Sequence, residues 1–132
     1  MLSVKEHNRS DRVAEQLRRE LALLIQTESG DPRFKSFTVS SVRVSRDLTQ
    51  ARVYLTSSQG AKASAEGLAA INKAANYFRF LLKDRMLLRI IPQLRFVYDE
   101  SVDRGARLSA LIDKVIREDS ERTQKADRDA GE

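Results

Sequence analysis

The sequence predicts an α+β fold in which a three-stranded sheet carries helices on one face. Three observations lead there. Apolar residues recur at helical spacing from Val13 to Ile25; two stretches rich in β-branched residues, Phe37–Ser45 and Leu48–Ser57, stand side by side; and between Ala61 and Tyr98 strong helix formers give way, past Pro92, to a third alternating stretch.

Residues 1–9 show no periodicity and read as a mobile arm. Ser10 is the expected N-cap, and Asp11 suits the positive end of a helix dipole. Val13, Ala14, Leu17, Leu21, Leu24 and Ile25 then define a helix from about Asp11 to Glu28, with Arg12, Glu15 and Arg19 pointing away from the stripe and Arg18 on its flank. Gly30, Asp31 and Pro32 end it, because Gly accepts the left-handed C-terminal position and Pro cannot continue a helix. The two β-branched stretches are joined by Arg46 and Asp47 and read as an antiparallel hairpin. In its second strand Ala51, Val53 and Leu55 face one way and Arg52, Tyr54 and Thr56 the other, while the first strand changes parity between Val39 and Val42. That change predicts a bulge near Ser40 and Ser41.

From Ala61 to about Ala75 the residues favour helix apart from Gly67, and Ala65, Leu68, Ala69 and Ile71 give a shallow apolar face of the kind that lets a helix lie close to a sheet. A break is expected near Ala75 and Asn76. The next helix, to Leu87, presents Phe78, Leu81, Leu82 and Met86 to the core. Pro92 closes the linker, and Leu94, Phe96 and Tyr98 alternate with Arg95, Val97 and Asp99 as the third strand. After Ser101 or Asp103 as cap, Leu108, Leu111, Ile112, Val115 and Ile116 mark an additional C-terminal helix that should dock on the body. From about Asp119 the chain loses apolar periodicity and reads as a disordered polar tail. The expected plan is thus an arm over 1–9, one domain over 10–118 and a tail over 119–132.

At 132 residues and 41% apolar content the chain fits one soluble domain, and no apolar run is long enough to cross a bilayer. The first residues lack the apolar stretch of a signal peptide, so a cytoplasmic, monomeric protein with no membrane partner is expected. The absence of cysteine excludes disulfides and thiolate metal sites. Charge is unevenly placed: residues 1–100 hold 17 Lys or Arg against 11 Asp or Glu, whereas residues 101–132 hold 7 against 8. A positive body attracts polyanions, and arginine, 17 of the 24 cations, has a planar fork suited to phosphate oxygens.

Groups for catalysis are missing where they would be needed. His7 is the only histidine and lies in the arm, which argues against a Ser-His pair or a histidine metal site. Asp99 and Glu100 are neighbours, so on a strand they point to opposite faces and do not form an acid and base pair. The five glycines are scattered and make no phosphate loop. The expectation is a binding protein, not an enzyme, with no metal and no cofactor.

The order helix, strand, strand, helix, broken helix, strand, helix resembles the type II KH domain, whose helix pair meets at a GxxG joint that clamps a nucleic-acid backbone. Here the joint reads Ala74-Ala75-Asn76. Together with RSDRVAEQLRREL (9–21), DPR (31–33), TVSSVRVSRDLTQARVYLT (38–56), ANYFRFLL (75–82) and LRIIPQLRFVYDESVDRG (88–105), this joint resembles the ribosome-binding factor A family. The resemblance covers nearly the whole chain outside the arm and the tail. It implies a KH-like module kinked at AxG in place of GxxG, in a factor that binds the small ribosomal subunit, acts on precursor 16S rRNA near its 5′ end and matters most in the cold. It also implies association with a ribosome-associated GTPase and with initiation factors. Asn76 stands where the family usually has Gly. Asn tolerates left-handed backbone better than most residues, so a kink and a single bent rod both stand.

Charge pattern and resemblance together assign RNA contacts to Arg9 and Arg12, and to Lys73, Asn76, Arg79, Lys83 and Arg85 around the joint, with Arg43, Arg46 and Arg52 on the hairpin in second rank. Asn72, Asn76, Arg79 and Lys83 form one stripe at helical spacing, read either as a phosphate-binding face or as a solvated one. Arg85 and Arg89 lie closer to the apolar side, where snorkelling or pairing with Asp84 or Asp99 competes. Two other functions stand beside the maturation factor: a generic single-strand RNA-binding KH module, and a protein-interaction adaptor using the hairpin edge.

Overall fold

The computed structural model describes residues 8–28 and 30–130, within which two compact units part between Asp99 and Glu100. The expected arm lies outside the described residues, His7 included, except for its last two positions. Those two belong to the first helix, α1 (Arg9–Thr27): Asn8 is its N-cap, accepting a hydrogen bond from the Asp11 N–H at 3.0 Å. Ser10, the expected cap, sits in the first turn and donates its hydroxyl to Asn8 Oδ1 at 2.6 Å. The Asn8 amide oxygen reaches an orphan N–H of the first turn, which moves the helix start two residues back. Val13, Leu17, Leu21, Leu24 and Ile25 form its buried stripe. Asp31 then caps a 3-10 turn (Pro32–Ser36), accepting from the Arg33 N–H at 2.9 Å. The Arg33 guanidinium bonded to Asp31 holds that carboxyl below its usual range.

The hairpin forms as β1 (Phe37–Val44) and β2 (Gln50–Ser57). Its register slips between Val39 and Ser41, at the predicted bulge, and the Ser40 hydroxyl there donates to the Asp99 carboxylate at 2.7 Å and lies 3.2 Å from the Tyr54 carbonyl. The connection is longer than Arg46 and Asp47, because Asp47 organises a wider loop. Its carboxylate accepts the Ser45 hydroxyl at 2.7 Å and the Thr49 N–H and hydroxyl at 3.1 and 2.8 Å, which hold it below the usual carboxylate range. Leu48 takes a left-handed φ of 64°, a conformation that costs a branched side chain about 1–2 kcal/mol, and its side chain packs against the core.

The helix expected over Ala61–Ala75 is two helices, α2 (Gly60–Ala63) and α3 (Ala65–Lys73), separated at Ser64 with φ −96° and ψ 2°. The break lets α3 press onto the hairpin: an added Cβ at Gly67 would stand 3.2 Å from the Phe37 ring. The next helix, α4 (Ala75–Leu82), ends earlier than the expected Leu87. The Arg85 and Met86 N–H groups turn back to the Leu82 carbonyl at 3.0 and 3.1 Å, so Met86 still reaches the core. The third strand, β3 (Gln93–Tyr98), joins β2 in parallel and gives the order β1-β2-β3.

Helices α1, α3 and α4 cover one face of this sheet. Ala51, Val53, Leu55, Leu94 and Phe96 point into them and are buried. Phe78 of α4, fully buried, lies at the centre, its ring 5.9 Å from that of Phe96 and 6.3 Å from that of Phe34. The α+β architecture and the interrupted helix pair agree with the sequence.

The second unit holds α5 (Ser101–Ala130). Its helix runs without interruption past Asp119, where the sequence places the start of a disordered tail; Ala, Arg, Lys and Glu favour helix there, and Arg122 pairs with Asp119 at 3.4 Å one turn away. Along α5 the residues Leu108, Leu111, Ile112, Val115 and Ile116 form one stripe, each half exposed or more.

Gly67→Val tests the close approach of α3. Two methyl groups against the buried Phe37 ring should lower unfolding free energy by about 1–3 kcal/mol, read by urea denaturation. Wild-type stability in that variant would show that α3 has room to spare.

Candidate nucleic-acid interface

The joint between α3 and α4 is a break without a left-handed residue. Ala74 carries it, with φ −88° and ψ 4°. Its N–H is shared between the Ala70 and Ile71 carbonyls, both at 3.1 Å, and its own carbonyl accepts from the Phe78 N–H at 3.2 Å. Hydrogen bonding thus continues through the joint. Of the expected joint Ala74-Ala75-Asn76, Asn76 is an exposed residue inside α4. A small ψ at one alanine bends the axis with no need of Gly, since Ala brings no bulk to crowd the turn.

Half of the polar stripe faces the sheet. Asn72 donates from its amide to the Phe96 carbonyl at 2.8 Å and accepts the Phe96 N–H at 2.8 Å. Its side chain therefore takes up the free edge of β3 at Phe96 as a neighbouring strand would. Arg79 donates from Nη2 to the Ile91 carbonyl at 2.9 Å, reaches Asn76 Oδ1 at 3.5 Å, and keeps its Nε buried without a hydrogen-bond partner. Its guanidinium ties α4 to the loop before β3. Arg85 is also engaged, at 3.2 Å from the Glu20 carboxylate of α1.

What remains for a ligand is narrower. Lys83 closes α4, exposed, with its ammonium 5.9 Å from the centre of the Phe80 ring, which is itself 63% exposed. These two, with Asn76, Arg89 and Ile90, line an open groove of about 710 Å³. Lys83 and Arg89 have no ion-pair partner among the described residues. An exposed aromatic ring sharing a groove with unpaired cations is the pairing that takes a base and its phosphate. Lys73 lines a separate hollow with Asp31, Phe34 and Tyr77.

The other candidates lie elsewhere. Arg9 and Arg12 are exposed at the start of α1, and Arg46 stands at the hairpin turn. Arg18 pairs with Glu15 at 2.6 Å on the outer face of α1. Arg43 and Arg52 sit on the open face of the sheet, where Arg95 joins them in register. Arg89 and Arg95 were not among the expected contacts. Alternation along β3 gives Arg95 an outward face, but only the β2–β3 register shows whom it meets. Among the described residues no cluster of His, Asp or Glu is placed to hold a metal ion, and no helix is long and apolar enough to cross a membrane.

Arg79→Ala and Lys83→Gln should separate support from contact. Removing the guanidinium leaves the Ile91 carbonyl unpaired, so Arg79→Ala should lose about 1–3 kcal/mol of stability; Lys83→Gln should change stability by less than about 0.5 kcal/mol while weakening RNA binding. Equal stability of the two variants in thermal denaturation would remove the support role from Arg79.

The family model described as Ribosome-binding factor A matches residues 9–112. A ribosome-binding factor A of Nitrosococcus oceani is 50% identical over 117 residues, covering 89% of this chain and 92% of that protein. The crystal structure of ribosome-binding factor A from Thermus thermophilus superposes with a TM-score of 0.59 at 30% identity, over 69% of this chain and 97% of that one. A Thermus thermophilus ribosome-binding factor A fitted into the cryo-electron microscopy map of a 30S complex gives a TM-score of 0.56 at 31% identity, over 66% of this chain and 91% of that one. With the family model matching residues 9–112 and a relative 50% identical over 92% of its own length, the chain belongs to the ribosome-binding factor A family.

Proposed function

We propose that this chain is a non-catalytic assembly factor that binds the small ribosomal subunit and assists late maturation of 16S rRNA, including processing of the precursor's 5′ end. The observation that carries the reading is the set of cations left over once the structural ones are subtracted. Arg79, Arg85 and Arg18 are engaged within the domain, whereas Lys83 and Arg89 line the groove of the exposed Phe80 with no carboxylate at ion-pair distance among the described residues. A phosphate backbone supplies the missing charge, and a Thermus thermophilus member of the family has been fitted into the map of a 30S complex.

The mechanism is a shift of population. The domain binds one arrangement of an immature RNA junction more tightly than the mature one and holds it until exchange. The extent of the shift equals the difference in affinity for the two arrangements. A cytoplasmic monomer acting in the cold, with a GTPase and initiation factors as further partners on the subunit, fits this role.

Co-sedimentation with immature and mature small subunits at two salt concentrations tests the proposal. Binding should favour immature particles and fall with a log–log salt slope of roughly −1.4 to −1.8 for the groove's two unpaired cations. Binding to free single-stranded RNA with none to either particle would replace this reading with a generic KH module; binding that ignores salt would replace it with a protein adaptor.

A further inference from the structure

The open face of the sheet carries an arrangement that folding alone does not explain. Arg43 of β1 pairs in register with Arg52 of β2, and Arg52 with Arg95 of β3. Adjacent strands lie about 4.8 Å apart, so the three Cα atoms fall within about 10 Å. All three side chains are exposed on the face away from the helices. Like charges directly opposite one another on a sheet are destabilising. None of the three has a carboxylate partner among the described residues.

The row also borders a shallow hollow of about 390 Å³, lined by these arginines with Tyr54, Ser45 and Gln50. Tyr54 lies two positions along β2 from Arg52, opposite Ser41 and Val97, so its ring stands on the same face as the cations. A small anion would satisfy one guanidinium and leave the repulsion between the others. A row that crosses three strands is neutralised by a ligand with repeated negative charge, and an aromatic ring beside it gives a base or ribose a surface to stack on. An acidic peptide offers the charges but leaves Tyr54 unused.

We propose that this face is a second RNA-binding site, in which Arg43, Arg52 and Arg95 take phosphates and Tyr54 stacks, and that the domain holds two RNA segments at once, one on each side of its sheet. The groove at Phe80 and Lys83 belongs to the helical layer, and the arginine row to the open face. Such a domain acts as a clip between two strands. The identity of the ligand as RNA rests on the function proposed above; the existence of a cation row does not.

The test uses the full chain with donor- and acceptor-labelled unstructured RNA 12-mers. At low salt the wild type should bring donor and acceptor together, and native mass spectrometry should show two RNAs per protein. The triple variant Arg43→Gln, Arg52→Gln, Arg95→Gln should lose the energy transfer, bind one RNA, and show a salt slope shallower by about 2. The single variant Arg52→Gln, at the centre of the row, should weaken the second binding event by about tenfold. Both variants should melt at or above the wild-type temperature, because removing a charge relieves repulsion. Unchanged stoichiometry and slope in the triple variant, or no RNA bound by the wild type at low salt, would overturn the proposal. An oligo-aspartate peptide that binds as tightly as RNA, and is lost equally in the triple variant, would reassign the face to an acidic protein. Co-sedimentation of the same proteins with small subunits separates the two readings: two RNAs per protein with no subunit binding refutes the maturation role and leaves the row standing, and subunit binding with one RNA per protein does the reverse.

Discussion

Phe78 is the residue on which this fold turns. A parallel strand requires a crossover, and here the crossover is built from short helices, each too brief to be stable alone. Phe78 projects from the last of them into the space between Phe34, before the hairpin, and Phe96, on the returning strand. One fully buried ring thus joins three regions distant in sequence. The helix pair, β3 and the turn after α1 depend on it together, because each lacks enough apolar surface to order itself separately.

Around that apolar centre, polar side chains set the finer geometry. Asn72 fixes α3 to the edge of β3, Arg79 fixes α4 to Ile91, and Arg85 fixes the turn beyond α4 to Glu20. Two of these three are cations in the region where an RNA ligand is expected. A positively charged joint therefore contains engaged and unpaired charges side by side, and the distinction between them lies in what each head group touches.

Much of this was legible in the residues. The stripe of Val13, Leu17, Leu21, Leu24 and Ile25 gives α1, the parity change between Val39 and Val42 gives the bulge, and the alternation of Leu94 and Phe96 with Arg95 gives β3. The break at Ala74-Ala75-Asn76 was legible too, and the structure centres it on Ala74. Partners that lie far apart along the chain were not legible. Asn72 and Arg79 sit at the same helical spacing whether they face water or a strand edge, so the wheel that places them together cannot say which. The break at Ser64 goes with the close approach of α3 to Phe37, a contact between segments far apart in the chain. The arginine row needs the β2–β3 register, which no local pattern encodes. The length of α5 escaped for the opposite reason: its last turns lack an apolar stripe, and the helix there rests on local propensity and pairs such as Arg122 with Asp119.

The closure of β3 by Asn72 has a bearing on discrimination among nucleotides. Backbone N–H and C=O groups on an open strand can read a base by bonding its edge, much as they would bond another strand. At Phe96 both groups are already taken by an amide from the chain itself. A nucleotide lying along this side meets cations and an aromatic surface but no unclaimed backbone pair at that position. On the function proposed above, affinity at this position follows charge and stacking, which every base offers alike, and the choice of target falls to the shape of the folded RNA that presents its strands to the domain.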